Sequence, residues 1–254
     1  MDLPSTPSFS LKNKRALIVG ASSGIGLACA VALAEFGASI TIAARRLKKL
    51  EDLSNSLVKK GISAELLELD VSKTDRTVEI INDLDPFDIL VNSAGLAKHS
   101  TAVKTKESDF DDVIGTNLKG AYFLTMAVAK RLISEKKGGS LINISSQMGL
   151  VGGQERSVYS ASKHAVEGFT KSIAIELGAS NIRVNTICPT FILTDLTKPT
   201  FQDPEKLAWV ESKIKLGRIG RVEDIMGAVV FLASEASSLV TGSALVIDGG
   251  WTAE

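Results

Sequence analysis

A chain of 254 residues is long enough to bury a sizeable core, as one large α/β domain or as two small ones. Its 29 Lys and Arg residues balance 29 Asp and Glu residues, which excludes the global positive field typical of proteins that bind nucleic acids or anionic membranes. We therefore predict no nucleic-acid partner and no membrane partner.

The two cysteines, Cys29 and Cys188, lie far apart in apolar stretches and lack the spacing of metal ligands. We predict that both are buried, reduced packing residues and that the chain holds no metal site. The N-terminus lacks the basic flank and apolar run of a signal peptide, and later apolar runs are too short to span a bilayer. A cytoplasmic protein is the resulting expectation.

Short aliphatic and β-branched runs alternate with longer helical patterns along the chain. This alternation predicts right-handed crossovers in a parallel sheet. The predicted fold class is doubly wound α/β, a Rossmann-like parallel sheet of seven strands with helices on both faces. In chain order the predicted elements are strand 16–19, helix 25–36, strand 39–43, helix 46–60, strand 64–69, helix 74–84, strand 89–91, helix 108–135, strand 140–144, helix 158–178, strand 183–187, helices 204–215 and 222–234, and strand 244–247.

No linker rich in Pro, Gly or Ser, no charge block and no repeat divides the chain. We predict a flexible tail at residues 1–10 and a single domain at residues 11–254. The least regular stretch, residues 189–217, would leave the C-terminal edge of the sheet, where open α/β sheets bind ligands. It predicts a mobile substrate lid, and a variable surface excursion is the alternative.

Three glycines follow the first strand in the pattern Gly20-x-x-x-Gly24-x-Gly26. Glycine lets the backbone turn sharply and approach a pyrophosphate, and the amides of the next helix then face the phosphates. The pattern therefore predicts a dinucleotide cofactor. Its predicted contacts in this turn are Gly20, Ser22, Ser23, Gly24, Ile25 and Gly26.

The second predicted strand ends in Arg45 and Arg46, without a carboxylate. An acidic side chain here would accept bonds from ribose hydroxyls, whereas a guanidinium binds a 2′-phosphate in a fork. The pair favours NADP(H) over NAD(H). The alternative is that both arginines are solvated residues at a helix start.

Polar and small residues end the next two strands. Asp70 is predicted to accept a hydrogen bond from the adenine amino group, with Val71 against the ring, although a helix cap is an alternative role for Asp70. Ala94 and Gly95 would let the backbone lie along the cofactor, and Asn92 is predicted to tie strand ends together.

Tyr159 and Lys163 are four residues apart on one predicted helix, so that both side chains lie on the same face. Reduction of a carbonyl needs a proton for the developing alkoxide, and a tyrosine can supply it. The ammonium of Lys163 is expected to lower the pKa of the phenol and to bond the cofactor ribose. Ser146, at a strand end, would hold the substrate oxygen.

The same helix carries Ala161, Ala165, Phe169, Ile173 and Leu177 at four-residue steps. We predict that they form an apolar face separate from the face of the tyrosine and the lysine. That separation would leave the polar pair facing a cleft.

Asn117 lies inside the long predicted helix 108–135, where an amide side chain disfavours regular helix. A local kink that holds a water linked to Lys163 would explain it. A tolerated helical asparagine is the alternative.

With these motifs assembled, the chain resembles the short-chain dehydrogenase/reductase family over essentially its whole length. The resemblance implies that Asn117, Ser146, Tyr159 and Lys163 form a catalytic tetrad. It also implies cofactor contacts from Pro189 and Thr194, the latter at the nicotinamide end. The motifs that carry it are Gly20-x-x-x-Gly24-x-Gly26, Asp70, Asn92-Ser93-Ala94-Gly95, Asn117, Ser146, Tyr159-x-x-x-Lys163, Pro189 and Thr194.

The chain departs from the family pattern at Val19, Ser93 and Thr190, none of which is a catalytic position. Four further motifs resemble the L-xylulose/dicarbonyl reductases within the family: Ser146-Gln147, Ser157-Val158-Tyr159, Cys188-Pro189-Thr190 and Phe201-x-Asp203-Pro204-x-Lys206. This resemblance implies that Gln147 and Gln154 bond substrate hydroxyls. Either glutamine is alternatively an exposed loop residue. The resemblance further implies a homotetramer built as a dimer of dimers.

The resulting hypothesis is an NADP(H)-dependent reductase of a small polar ketone, ketose or dicarbonyl, which also catalyses the reverse oxidation of the alcohol. One alternative is reduction of 3-oxoacyl thioesters of acyl carrier protein. An alternative from another class is an NADP-binding regulatory protein without catalysis, against which the intact tetrad argues.

Overall fold

The computed structural model describes residues 1–195 and 197–253, so that Leu196 in the predicted lid and Glu254 at the end of the predicted domain lie outside the described residues. All seven predicted strands are confirmed within a residue or two at each end. The strands are β1 (Arg15–Val19), β2 (Ser39–Ala44), β3 (Ala64–Glu68), β4 (Ile89–Asn92), β5 (Gly139–Ile144), β6 (Ile182–Pro189) and β7 (Ala244–Ile247).

The strands form one sheet in the order β3-β2-β1-β4-β5-β6-β7, and every neighbouring pair is parallel. The order reverses between β1 and β4, where Val19 pairs with Asn92. Loops that leave these two strand ends run in opposite directions and leave a crevice, which is where doubly wound sheets bind ligands. The predicted fold class is confirmed.

The helices agree with the predicted patterns, with two differences. The predicted helix 108–135 is divided by a π-helical turn, Gly115–Gly120, and a short helix not predicted from the sequence precedes the predicted helix 204–215. The α-helices are α1 (Gly24–Glu35), α2 (Leu47–Val58), α3 (Thr74–Asn82), α4 (Glu107–Ile114), α5 (Ala121–Ser134), α6 (Ser157–Leu177), α7 (Lys198–Phe201), α8 (Pro204–Lys213) and α9 (Glu223–Ala233).

Both faces of the sheet are covered. Alternate residues of β1 point to opposite sides, so that Ala16 and Ile18 pack in one apolar cluster while Leu17 and Val19 pack in the other. The first cluster contains the buried residues of α1, α2 and α9, and the second those of α3, α5 and α6. Burial on two sides explains why the strand sequences are continuously aliphatic.

Helix α6 buries a different face from the one predicted. Ala161 is exposed, and Ala165 and Phe169 are only partly buried, although the two C-terminal members of the predicted face are buried. The buried face instead includes Lys163 and Glu167. The periodicity of apolar residues predicts the wrong buried face of α6, because polar side chains of this helix form hydrogen bonds inside the protein.

The stretch after β6 leaves the carboxyl edge of the sheet and carries two helices. Ile192 makes an isolated parallel bridge with Gly220, and α7 and α8 lie between these two residues. Trp209 of α8 meets Trp251 near the C-terminus edge to face, with ring centroids 5.5 Å apart. That this stretch moves as a lid stays a prediction.

Residues 1–10 are exposed and contain no helix or strand. Among the described residues, no helix combines the length and apolar character that crossing a bilayer requires.

Candidate active site

A cleft of about 500 Å³ lies at the carboxyl edge of the sheet, over the point where the strand order reverses. Many of the residues predicted from the sequence share it. Those lining it are Gly20, Ser22, Ser23, Gly24, Ile25, Arg45, Arg46, Asp70, Val71, Ala94, Gly95, Tyr159, Lys163 and Thr194. Those outside its lining are Gly26, Asn92, Asn117, Ser146, Gln147, Gln154 and Pro189.

The glycine turn has the backbone shape that a phosphate cradle needs. Gly20 has a φ of +80°, and a Cβ atom there would lie 2.7 Å from the amide nitrogen of Ala94. Gly26 packs its α-carbon against the carbonyl of Gly20, leaving no room for a side chain. Ser23, the N-cap of α1, makes no side-chain hydrogen bond to the first turn, so the helix amides face the cleft without a protein cap.

Three cations line the end of the cleft next to β2. Arg45 and Arg46 are exposed, and neither forms an ion pair with any residue that the structure describes. Lys49, one turn further along the chain, lines the same region and was missed by sequence reasoning. Its position in the first turn of α2, directly after the predicted arginines, was the available signal. The arrangement can hold a multiply charged anion.

Asp70 and Val71 line the cleft beside this end. The Oδ1 atom of Asp70 accepts hydrogen bonds from the backbone nitrogen and the hydroxyl of Ser72, at 3.0 and 2.8 Å. The carboxylate therefore has a local structural role, and its contact with adenine stays a prediction.

Asn92 ties two strands together, as predicted. Its side-chain nitrogen donates to Oδ1 of Asn143 at the end of β5, at 3.0 Å, and its Oδ1 accepts from the amide of Ala94 at 3.2 Å. These bonds fix the Ala94–Gly95 backbone that lines the cleft. Asn92 thus stabilises the wall of the cleft without lining the cleft itself.

Asn117 lies in the π-helical turn between α4 and α5, which matches the predicted local distortion. Its Oδ1 accepts from the amide of Leu96 and its Nδ2 donates to the carbonyl of Leu96, both at 2.9 Å. The Nδ2 atom also donates to the hydroxyl of Ser162 at 3.1 Å. Asn117 is fully buried and joins the cleft wall to α6. A linking water stays a prediction.

Tyr159 and Lys163 lie together in the cleft wall, with the lysine Nζ atom 5.7 Å from the centre of the tyrosine ring. Lys163 Nζ donates to the carbonyl of Ile144, the last residue of β5, at 2.9 Å. Ser146 follows two residues later, and its Oγ accepts from the amide of Met148 at 3.1 Å. Tyr159 and Lys163 therefore line one end of the cleft, and the Ser146 hydroxyl lies beside the phenol just outside this lining.

The pKa values differ from the sequence-based expectation. Burial raises the pKa of Tyr159 above its usual value, and the Ser146 hydroxyl and the Arg156 guanidinium oppose this only in part. The expected lowering of the phenol pKa is therefore wrong for this structure, because desolvation outweighs the nearby positive charge. Burial also lowers the pKa of Lys163 to about 8, and the neighbouring Cys188 and Glu167 side chains oppose this only in part.

The remaining predicted residues differ in burial and in position. Gln147 is 99% buried, and neither polar atom of its side chain has a partner among the described residues. Gln154 is exposed in a turn, Pro189 ends β6, and Thr194 lies against Gly24. Sequence reasoning also missed Ser145, which lines the cleft.

Both cysteines are buried and free. Within residues 1–195 and 197–253, no group of three or more His, Cys, Asp or Glu side chains is arranged to hold a metal ion.

Comparison with known proteins assigns the family. A family model described as enoyl-(acyl carrier protein) reductase matches residues 20–252. The chain is 34% identical over 245 residues to D-erythrulose reductase of Gallus gallus, covering 96% of this chain and 98% of the relative. It is 37% identical over 243 residues to a 3-oxoacyl-[acyl-carrier-protein] reductase of Vibrio harveyi, covering 95% and 98%.

A crystal structure of gluconate 5-dehydrogenase from Burkholderia cenocepacia, in complex with NADP and tartrate, superposes with a TM-score of 0.93. It is 32% identical in sequence, and the match covers 97% of this chain and 98% of that chain. The chain belongs to the short-chain dehydrogenase/reductase family and is an oxidoreductase.

Proposed function

We propose that the protein is an NADP(H)-dependent oxidoreductase that reduces a small polar ketone, such as a ketose or a dicarbonyl, to the alcohol and catalyses the reverse reaction. The observation that carries the proposal is that Tyr159 and Lys163 share one cleft with the glycine turn and with the arginines that follow β2. An acid and a cofactor cradle therefore face the same space.

The residues of the cleft fit NADP(H). The uncapped amides of α1 would bind the pyrophosphate, and Arg45, Arg46 and Lys49 would bind the 2′-phosphate. The NADP complex of the gluconate 5-dehydrogenase relative supports the same cofactor here. Bound NADPH supplies the hydride.

The protein supplies the proton. Because burial raises the pKa of Tyr159, the phenol stays protonated at neutral pH and can donate to the oxygen that becomes negative during reduction. The Ser146 hydroxyl would donate to the same oxygen. Lys163 would bond the cofactor ribose and place a positive charge beside the phenol. Asn117 holds Leu96 in the cleft wall and would contact a relay water.

Polar groups adjoining Ser146 and Tyr159 support a hydroxylated substrate. The buried Gln147 amide lacks a protein partner among the described residues, and unpaired buried amides are costly unless a ligand or water bonds them. Arg156 adds a positive charge close enough to affect the phenol, which favours substrates that carry a carboxylate. Gln154 is a further proposed contact. The D-erythrulose reductase and gluconate 5-dehydrogenase relatives support sugar or sugar-acid substrates.

Reduction of 3-oxoacyl thioesters is a second candidate, favoured by the 37% identity to the Vibrio harveyi enzyme. An NADPH-coupled assay that compares xylulose, erythrulose, diacetyl and 5-oxogluconate with an acetoacetyl thioester separates the two candidates. Preference for the thioester would replace our substrate assignment. Absence of turnover across the whole panel, with NADPH bound, would indicate a regulatory protein.

The cofactor assignment has its own test. We expect Arg45→Ala to weaken NADP binding about 10- to 100-fold, the effect of losing a charge-assisted bond, and to leave NAD binding nearly unchanged. Arg76→Ala is the matched control, because Arg76 is an exposed arginine of α3 outside the cleft lining. Equal losses for the two cofactors would reject the 2′-phosphate contact.

A further inference from the structure

A buried carboxylate lies on the same helix as the proposed proton donor. Glu167 is on α6, one helical turn after Lys163, and is 94% buried. Its Oε2 accepts a hydrogen bond from the Thr186 hydroxyl at 2.8 Å, and its Oε1 accepts from the Cys188 thiol at 3.3 Å. Both donors belong to β6, so the side chain is fixed between a helix and the central sheet.

The two donors suit a charged carboxylate, which has only acceptor atoms. Burial, together with the neighbouring carboxylate, raises the pKa of the Cys188 thiol to about 12, so the thiol stays protonated and able to donate. No Lys, Arg or His nitrogen lies within ion-pair distance of Glu167 in the described part of the chain. A buried charge without an adjacent counter-ion is costly, which calls for a compensating charge further away.

Lys163 is the cation that supplies this compensation. It is 95% buried, and among residues 1–195 and 197–253 its Nζ has one hydrogen-bond acceptor, the carbonyl of Ile144. Residues four apart on a helix face the same side, so the Lys163 and Glu167 side chains extend from neighbouring turns of one buried face of α6. Each charge stabilises the other where water does not screen them.

The carboxylate also contacts the segment that carries Ser146. A Cβ atom on Gly149 would lie 3.1 Å from Cγ of Glu167 and 3.0 Å from the hydroxyl of Ser145. Gly149 therefore lets the serine segment pack onto the Glu167 stem.

We propose that Glu167 is a positioning residue whose buried carboxylate, held by Thr186 and Cys188, keeps the Lys163 side chain in its ammonium form. This inference rests on the proposed function only where it predicts an effect of Glu167 on ketone turnover. The charge of Lys163 is a property of the folded protein itself.

Few other ionisable groups surround Lys163. Tyr159 precedes it on α6, Cys188 faces it from β6, and the segment 145–149 contributes none. The charged residues that line the rest of the cleft are Arg45, Arg46, Lys49, Asp70 and Asp195.

The direct test is the titration of Lys163 followed by NMR of its ε-methylene group, assigned with Lys163→Arg. We expect Glu167→Gln, which keeps the shape but removes the charge, to lower the pKa of Lys163 by on the order of one unit from its value of about 8. Glu167→Asp should restore most of the shift. Glu176→Gln, an exposed position on the same helix, is the matched control and should change nothing.

The pH profile of ketone reduction gives a second readout. As the pH is raised, turnover of Glu167→Gln should begin to fall at a lower pH than turnover of the parent, because Lys163 loses its proton earlier. The ketone KM of the variant at pH 6 should equal that of the parent. If Glu167→Gln does not fold, Thr186→Val should lower the pKa of Lys163 by a smaller amount. An unchanged Lys163 titration in a folded variant overturns the inference. Absence of ketone turnover in the parent protein would overturn the proposed function instead.

Discussion

The hydrogen bonds of Asn117 allow one prediction to be worked from the structure. Asn117→Ala removes two bonds to Leu96, at 2.9 Å each, and one to Ser162 at 3.1 Å. A net contribution of about 1 kcal/mol for each bond gives a loss of about 3 kcal/mol in the free energy of unfolding. For a domain of this size that loss corresponds to a decrease in Tm of roughly 6–12 °C.

The loss should also reach the cofactor site. Leu96 and its neighbour Gly95 line the cleft, and without the Asn117 amide their backbone is no longer fixed. We therefore expect weaker NADPH binding together with lower stability. Asn117→Asp keeps the acceptor for the Leu96 amide but loses both donor bonds and buries a carboxylate against the Leu96 carbonyl, so it should be no more stable than Asn117→Ala.

Thermal and urea unfolding, followed by circular dichroism, measure the stability, and NADPH fluorescence measures the binding. Asn55→Ala is the matched control because Asn55 is exposed on α2, and its change should stay within about 0.5 kcal/mol. An Asn117→Ala protein that unfolds at the same temperature as the parent would refute the reasoning.

Three further predictions concern the charge of Lys163, the backbone at Gly20 and the thiol of Cys29. Since the pKa of Lys163 is lowered to about 8 in the folded protein, its own contribution to stability should rise with pH between pH 8 and 10.5, the ordinary pKa of a lysine, opposite in sign to the contribution of the two buried thiols. The difference between parent and Lys163→Met in pH-dependent urea unfolding should therefore show this rise, and a difference that stays flat over the window would contradict it. Gly20→Ala should weaken NADPH binding and lower the Tm more than Gly61→Ala does. Both glycines have positive φ, but of the two only Gly20 faces backbone atoms. Burial raises the pKa of Cys29 to about 12, so its thiol should resist alkylation in native buffer and react only in urea, as judged by mass spectrometry.

The strands and the cofactor turn were predictable because local sequence determines them. Continuous aliphatic runs indicate strands buried on both faces, and the positive φ of Gly20 and Gly24 explains why glycine stands at these positions. The four-residue step from Tyr159 to Lys163 likewise fixed their shared face.

Features that depend on distant partners were not predictable. Glu167 is buried because Thr186 and Cys188 of β6 donate hydrogen bonds to its carboxylate, and no sequence pattern within α6 predicts those donors. The direction of the Tyr159 pKa shift depends on how deeply the folded chain buries the phenol. Lys49 was missed because a lysine in a helix is most often a solvated residue, and only the fold places it at the cleft.

The central claim is that the phenol of Tyr159 donates the proton to a ketone reduced by bound NADPH. Single-turnover oxidation of NADPH by the best ketone of the panel, compared between the parent protein and Tyr159→Phe, tests it most directly. The account predicts that the rate falls about 10²- to 10⁴-fold, the contribution of a positioned general acid, while NADPH binding is retained. A Tyr159→Phe protein that reduces the ketone at the parent rate would contradict it.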